Sequence, residues 1–155
     1  AEFSTSGSNT HYHVGNYYSW PAAISNNGTN ITEADTNAPD SICPTGWVLP
    51  ISTVKNTENG TFYYLLNKYG LESSASGIGV DNKAYEIYNT PVYFTYSGAL
   101  YNSRLMNAGY HGGYWASTSR SDTEANGIYF NDTVHPFHYD YRYYGRAVRC
   151  LVKSS

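Results

Sequence analysis

The chain has 155 residues and a formal net charge of −3, with 41% apolar residues and only 14% charged. A chain of this length can bury roughly 70% of its unfolded surface in one domain, so a core needs neither a metal nor many disulfides. Nine Lys and Arg residues without a cluster exclude a nucleic-acid partner; 18 Tyr, 5 Phe and 3 Trp exclude a disordered chain, and no run approaches the ~18 apolar residues of a membrane span.

Ala1 to Ser8 is small and polar, without the charged-then-apolar order of an export signal. It reads as a flexible leader or cloning remnant, with Glu2-Phe3 as the scar, and a single domain is placed at 9–153. Aromatics cluster from Tyr12 to Trp20, and a turn-rich surface stretch follows at Ser25 to Asn30. Ser41 to Pro50 (SICPTGWVLP) reads as a buried irregular segment or short strand anchored by Cys43 and Trp47.

The one clear helix follows. Phe62, Leu65, Leu66 and Tyr69 form an apolar face at i, i+3, i+4, i+7, with Asn59 or Thr61 as cap and Gly70 as stop. Residues 72–90 form a Ser/Gly/Asn-rich excursion with room for one helical turn.

Everything after Pro91 reads as β. Strands are expected at Val92–Tyr96, ending at Gly98, and at Gly113–Thr118. In Asn126–Asn131, Ile128 and Phe130 point inward and Tyr129 and Asn131 outward. Thr133–Tyr144 reads as irregular. A last strand, Ala147–Val152, carries Val148, Cys150 and Val152 on one face. The expected class is α+β, with one or two helices and short, mostly antiparallel strands.

Cys43 and Cys150 have neither CxxC spacing nor a neighbouring His cluster. They read as one long-range disulfide in preference to a catalytic or metal-binding thiol pair, which implies an oxidising compartment.

Three segments together carry a family resemblance: Ile42-Cys43-Pro44-Thr45-Gly46-Trp47-Val48-Leu49-Pro50, Gly112-Gly113-Tyr114-Trp115-Ala116-Ser117-Thr118, and Gly145-Arg146-Ala147-Val148-Arg149-Cys150. In this order they resemble the Fibrobacter-succinogenes-type major paralogous domain, whose pattern runs ICPxGWRLP, GYYWSST and GxSVRC. The departures are Val48 for Arg, and Ala116 and Ala147 for Ser. The resemblance implies a C-type-lectin-like fold, close to that of the formylglycine-generating enzymes. It also implies kinship with surface proteins diversified by retroelements, whose variable segment here would be 119–147. Within that segment only Glu124 cannot arise by randomising the adenines of an Asn codon.

The resemblance and the composition together single out a ligand-binding set: Tyr114, Arg120, Asp122, Tyr129, Asn131, Asp132, His135, Phe137, His138, Tyr139, Asp140, Tyr141, Tyr143, Tyr144 and Arg146. Tyrosine supplies rigid contact area with a polar tip and little rotamer entropy to lose, while Asp, Asn and His add adaptable hydrogen bonds. Arg149 is expected to be structural, and Trp47, Trp115 and the cysteines to hold the frame.

No cofactor and no metal are expected. Phe130-Asn131-Asp132 lacks the partner motif that a calcium site of 6–8 oxygens requires. His11-x-His13 and His135-x-x-His138 lack an accompanying thiol or carboxylate at ligand spacing. The sequons at Asn27, Asn30, Asn59 and Asn131 matter only in a glycosylating host. No nucleophile, carboxylate pair or phosphate loop assembles, so an enzyme is not expected.

The expected function is a secreted or surface-displayed binding protein, part of a longer surface protein, with a protein or glycan ligand on another cell or surface. The alternatives are a structural or pilus-tip subunit that packs through the Tyr-rich segment, and, further off, a formylglycine-type oxidoreductase with a free reactive thiol.

Overall fold

Phe62 and Leu66 are fully buried and Leu65 and Tyr69 pack partly against the same core, as the helical spacing requires. The computed structural model describes residues 16–25, 38, 40–52, 61–70, 80–81, 87, 91 and 93–152. In chain order these form α1 (Trp20–Ala23), β1 (Trp47–Val48), α2 (Phe62–Asn67), β2 (Val80–Asp81), β3 (Ala99–Tyr101), β4 (Arg104–Met106), β5 (Gly112–Ser119), β6 (Glu124–Phe130), β7 (Thr133–Tyr141) and β8 (Leu151–Val152). The class is α+β with few helices and short, antiparallel-paired strands. The Thr61 hydroxyl caps α2 by accepting from the Tyr64 amide at 3.0 Å, and Gly70 takes φ +67° beyond its last turn. Asn59 lies outside the described residues. Six residues are too few for a helix to persist alone, so α2 depends on the burial of Phe62 and Leu66, which contributes about 1.5–3 kcal/mol for each side chain.

The main sheet runs β2-β7-β6-β5, and two-stranded pairs β1–β8 and β3–β4 stand apart from it. β5 is buried on both faces. Tyr114 and Ala116 join the core with Phe62, Phe94, Ile128 and Phe130, whereas Trp115 joins a second core with Trp20, Ile24 and Leu49. Each buried indole is satisfied by backbone. Trp20 donates to the Ala116 carbonyl and Trp115 to the Tyr18 carbonyl, both at 2.8 Å.

Two strands carry extra residues. Trp115 pairs with Gly127 and Ser119 with Ala125, so Ala116, Ser117 and Thr118 all stand opposite Asn126. Gly127 pairs with His138 and Tyr129 with His135, so Pro136 and Phe137 share Ile128. Proline has no amide to give a ladder, and a bulge is where a sheet interior tolerates it. Buried Ser52 ties both irregularities together. Its amide donates to Thr118 Oγ1 (3.0 Å), its hydroxyl to the Pro136 carbonyl (2.7 Å), and its carbonyl accepts from Asn126 Nδ2 (3.0 Å). The amides of Gly113, Trp115 and Ser117 bond to Ser97 Oγ, the Ala147 carbonyl and the Pro50 carbonyl.

Several expectations change. Residues 93–98 form no strand, because Tyr93 takes φ +46° and Ser97 turns back onto Thr95; Phe94 is a core residue all the same. The chain instead turns at Gly98 (φ +68°), where a Cβ would collide with the backbone of Met106 and Ala108, and enters the β3–β4 hairpin. The segment from Thr133 onward is a nine-residue strand, since bulging at Pro136 keeps the ladder intact on either side. The last strand shrinks to Leu151–Val152, with Val152 exposed, because residues 145–147 make separate bridges to Leu100, Tyr18 and Tyr114. Trp47 anchors nothing: it is 46% exposed, and the core tryptophans are Trp20 and Trp115. The expected turns at 26–30 lie outside the described residues, as does nearly all of the 72–90 excursion.

Cys43 and Cys150 form a disulfide, beside the β1–β8 pair, across a sequence separation of 107. Replacing both by Ser should lower the unfolding free energy by as much as about 4–5 kcal/mol, read from urea midpoints. Ser52→Ala should cost about 1–3 kcal/mol in the same measurement, because it orphans the buried Pro136 carbonyl. An unchanged midpoint would mean that the two bulges hold themselves.

Candidate functional site

Two concavities near the end of β7 take seven of the fifteen expected residues: Asp122, Tyr141 and Tyr143 in one, and Tyr129, His138, Tyr144 and Arg146 in the other. The first is an open groove of about 730 Å³, lined by Ser19, Pro21, Asp122, Thr123, Tyr141, Arg142 and Tyr143. Tyr141 (47% exposed) and Tyr143 (62% exposed) stack with ring centroids 5.5 Å apart and planes at 15°. Tyr101 and Tyr144 extend the cluster, Tyr101–Tyr144 at 4.9 Å and Tyr143–Tyr144 at 5.2 Å. Arg142 is buried at the groove floor. It lies 4.4 Å from the Trp20 ring and donates from Nε to the Glu124 carbonyl, so the floor is fixed before any ligand arrives.

The second concavity is a cleft of about 310 Å³ that reaches the tyrosine cluster through Tyr144. Its lining includes Gly98, Met106, His111, Tyr129, His138 and Arg146. The Arg146 guanidinium, 7% exposed, donates to Asp140 Oδ2 and to the Gly98 carbonyl. Gly113 makes room for it, because a Cβ there would overlap Arg146 NH1. Tyr129 and His111 share a 2.8 Å hydrogen bond between the phenol oxygen and Nδ1, and the His138 ring lies 4.7 Å from that of Tyr129. Burial pushes the Tyr129 phenol above its ordinary value. Burial also holds the His138 imidazole below its ordinary value, against the opposing pull of Asp140, whose Oδ2 is 3.6 Å from Nε2.

The remaining expected residues separate. Tyr114 is a core residue and not a contact residue: its ring packs edge-on against Phe94 at 4.9 Å, and its hydroxyl bonds Thr95. Phe137 stacks on Tyr63 of α2 at 5.6 Å. Asn131 Oδ1 closes the β6–β7 turn on the Thr133 amide, with Asp132 exposed beside it. His135 lies against Tyr129 at 5.9 Å. Exposed Tyr139 is covered on one face by Arg120, which also pairs with Glu124 at 3.4 Å. Arg149 lies 5.7 Å from the Phe94 ring. Sequence reasoning missed Tyr101, His111 and Arg142. The positive-φ turns that build the β3–β4 hairpin and carry the first two into place leave only a weak Asn/Ser/Gly trace.

Among the described residues no group of three or more His, Cys, Asp and Glu side chains could hold a metal ion, and no helix is long and apolar enough to cross a membrane. His11 and His13 lie outside the described residues, as do the sequons at Asn27, Asn30 and Asn59. Both cysteines of the chain are in the disulfide, so no thiol is free for formylglycine-type chemistry.

No family model, curated protein or solved structure matches the chain. The descriptions that came only with the family resemblance, namely the C-type-lectin fold, retroelement-driven variability and adhesion, therefore have nothing to rest on and are withdrawn; the disulfide stands.

A half-buried imidazole that binds its proton more weakly folded than unfolded destabilises the fold in acid, and more modestly than a fully buried one because solvent screens it. Stability should be full above the unfolded His value of 6.5 and should fall as the pH drops below it, levelling off once the folded pKa is passed. Urea midpoints between pH about 7.5 and about 5 should show this slope, and His138→Gln should flatten it. An equal slope in the variant would place the titration on other groups.

Proposed function

We propose that this chain is a secreted or surface-displayed binding module, not an enzyme, which takes a protein or glycan ligand onto the groove bordered by Tyr141 and Tyr143. The observation that carries this reading is the pair of exposed, mutually stacked tyrosines on a prearranged floor. Exposed aromatic clusters on a folded surface are where partners dock, and tyrosine combines large contact area with little entropy lost on binding. Asp122 at the groove wall supplies a carboxylate acceptor, and the buried Arg142 keeps the floor rigid, which lowers the ordering cost of association. A long-range disulfide suits an oxidising, extracellular setting.

The test uses an array of defined glycans and a panel of purified surface proteins, probed with the whole chain. Ligands captured by the wild type should bind at least ~10-fold more weakly to the Tyr141→Ala/Tyr143→Ala double variant, since buried tyrosine anchors carry a large share of interface energy. Its melting temperature should hardly move, because both rings are exposed. Undiminished capture would remove the groove as the site. Self-association of the wild type, lost in the double variant, would show that the same face serves assembly instead.

A further inference from the structure

The cleft beside the groove has a chemistry of its own. A guanidinium has five N–H donors, and Arg146 commits one to Asp140 and one to the Gly98 carbonyl; the rest have no partner among the described residues, although the side chain is more than nine-tenths buried. His111 uses Nδ1 on Tyr129 and keeps Nε2. The rings of Tyr129 and Tyr144 supply aromatic wall, and the side chains of Ala99 and Met106 supply apolar surface.

Three ligand classes fit this poorly. Phosphate or another strong anion needs uncompensated positive charge, whereas Asp140 neutralises Arg146 at contact distance. A cation meets the guanidinium. An apolar ligand would seal unspent donors away from water, at the cost of leaving them unpaired. At about 310 Å³ the cleft is also at the small end of ligand pockets, roughly 300–1,000 Å³, which suits one ring and not an extended chain.

A neutral ring bearing several hydroxyls satisfies every one of these conditions. The ring's hydroxyls can accept from Arg146 and exchange a hydrogen bond with His111 Nε2, while the C–H face of the ring lies against tyrosine. We infer that the His111–Tyr129–Arg146 cleft binds a single sugar residue, without a metal ion, as the seat for one residue of a glycan. The inference rests on the binding-module reading above and narrows its ligand to carbohydrate. Tyr144 of the cleft lies edge-on to Tyr143 of the groove, with ring centroids 5.2 Å apart, so Tyr143 is the nearest tyrosine of the groove to a glycan anchored in the cleft.

The experiment is an amide NMR titration of the whole chain with glucose, galactose, mannose, fucose and N-acetylglucosamine, one at a time, with acetate and sulfate as anion controls. At least one sugar should shift the amides of Gly98, Ala99 and Asn107, all in the cleft wall, with a dissociation constant of about 1 mM, unchanged by EDTA. Met106→Trp, at a partly exposed position on the cleft wall, should abolish those shifts while keeping the folded spectrum, and Tyr143→Ala should leave them in place. The inference is overturned if no sugar moves these amides, if only acetate or sulfate does, if EDTA removes the effect, or if Met106→Trp leaves it intact. Shifts confined to Tyr141 and Tyr143 would overturn the cleft and keep the groove. Sugar in the cleft, with array capture unaffected by the double tyrosine variant, would do the reverse.

Discussion

Ser52 is the point on which the sheet depends. A nine-residue strand with proline inside it and an eight-residue strand with surplus residues flank β6, and each irregularity strands polar backbone in a dry interior. One small side chain with its own amide and carbonyl meets β5, β6 and β7 at those places. Serine suits the position because it carries a donor on the shortest arm; valine or leucine there would keep the amide and carbonyl bonds but leave the Pro136 carbonyl without this donor.

That repair decides where the recognition residues go. The β7 bulge shifts the register between His135 and His138, so both rings pack against Tyr129 and Asp140 comes to Arg146. A regular strand would send alternate residues to opposite faces and scatter them. The arginine reaches the carboxylate across Gly113, whose missing side chain supplies the space. The cleft is therefore assembled from three separate stretches of chain. The groove is lined by the β5–β6 turn, the end of β7 with the two residues after it, and the start of α1, with Trp20 beneath Arg142.

The sequence disclosed what periodicity and local chemistry encode. The α2 face, its Thr61 cap, the inward Ile128 and Phe130, and the disulfide all follow from spacing, and the tyrosine-dense stretch from composition. It misled where tertiary context overrides local preference. Val92–Tyr96 has the composition of a strand, yet a left-handed Tyr93 and the demand for Phe94 in the core break it. Tyr114 looked like a contact residue because it sits among aromatics, but position parity on β5 sends it to the core opposite Trp115. Thr133–Tyr144 reads as irregular in sequence, yet Thr133–Tyr141 is a strand in which Pro136 lies at a bulge. His111 and Ser52 were invisible, since nothing in a lone histidine or serine announces partners 18 and 84 residues away.

The bonds along the outer side of β5 have a consequence for solubility. An exposed strand margin is a template on which a second chain can polymerise. Here the three successive outward amides at Gly113, Trp115 and Ser117 are already occupied by Ser97, Ala147 and Pro50. The chain thus seals its most continuously buried strand against amyloid-like growth, and can display tyrosine at high density without inviting copies of itself to join there.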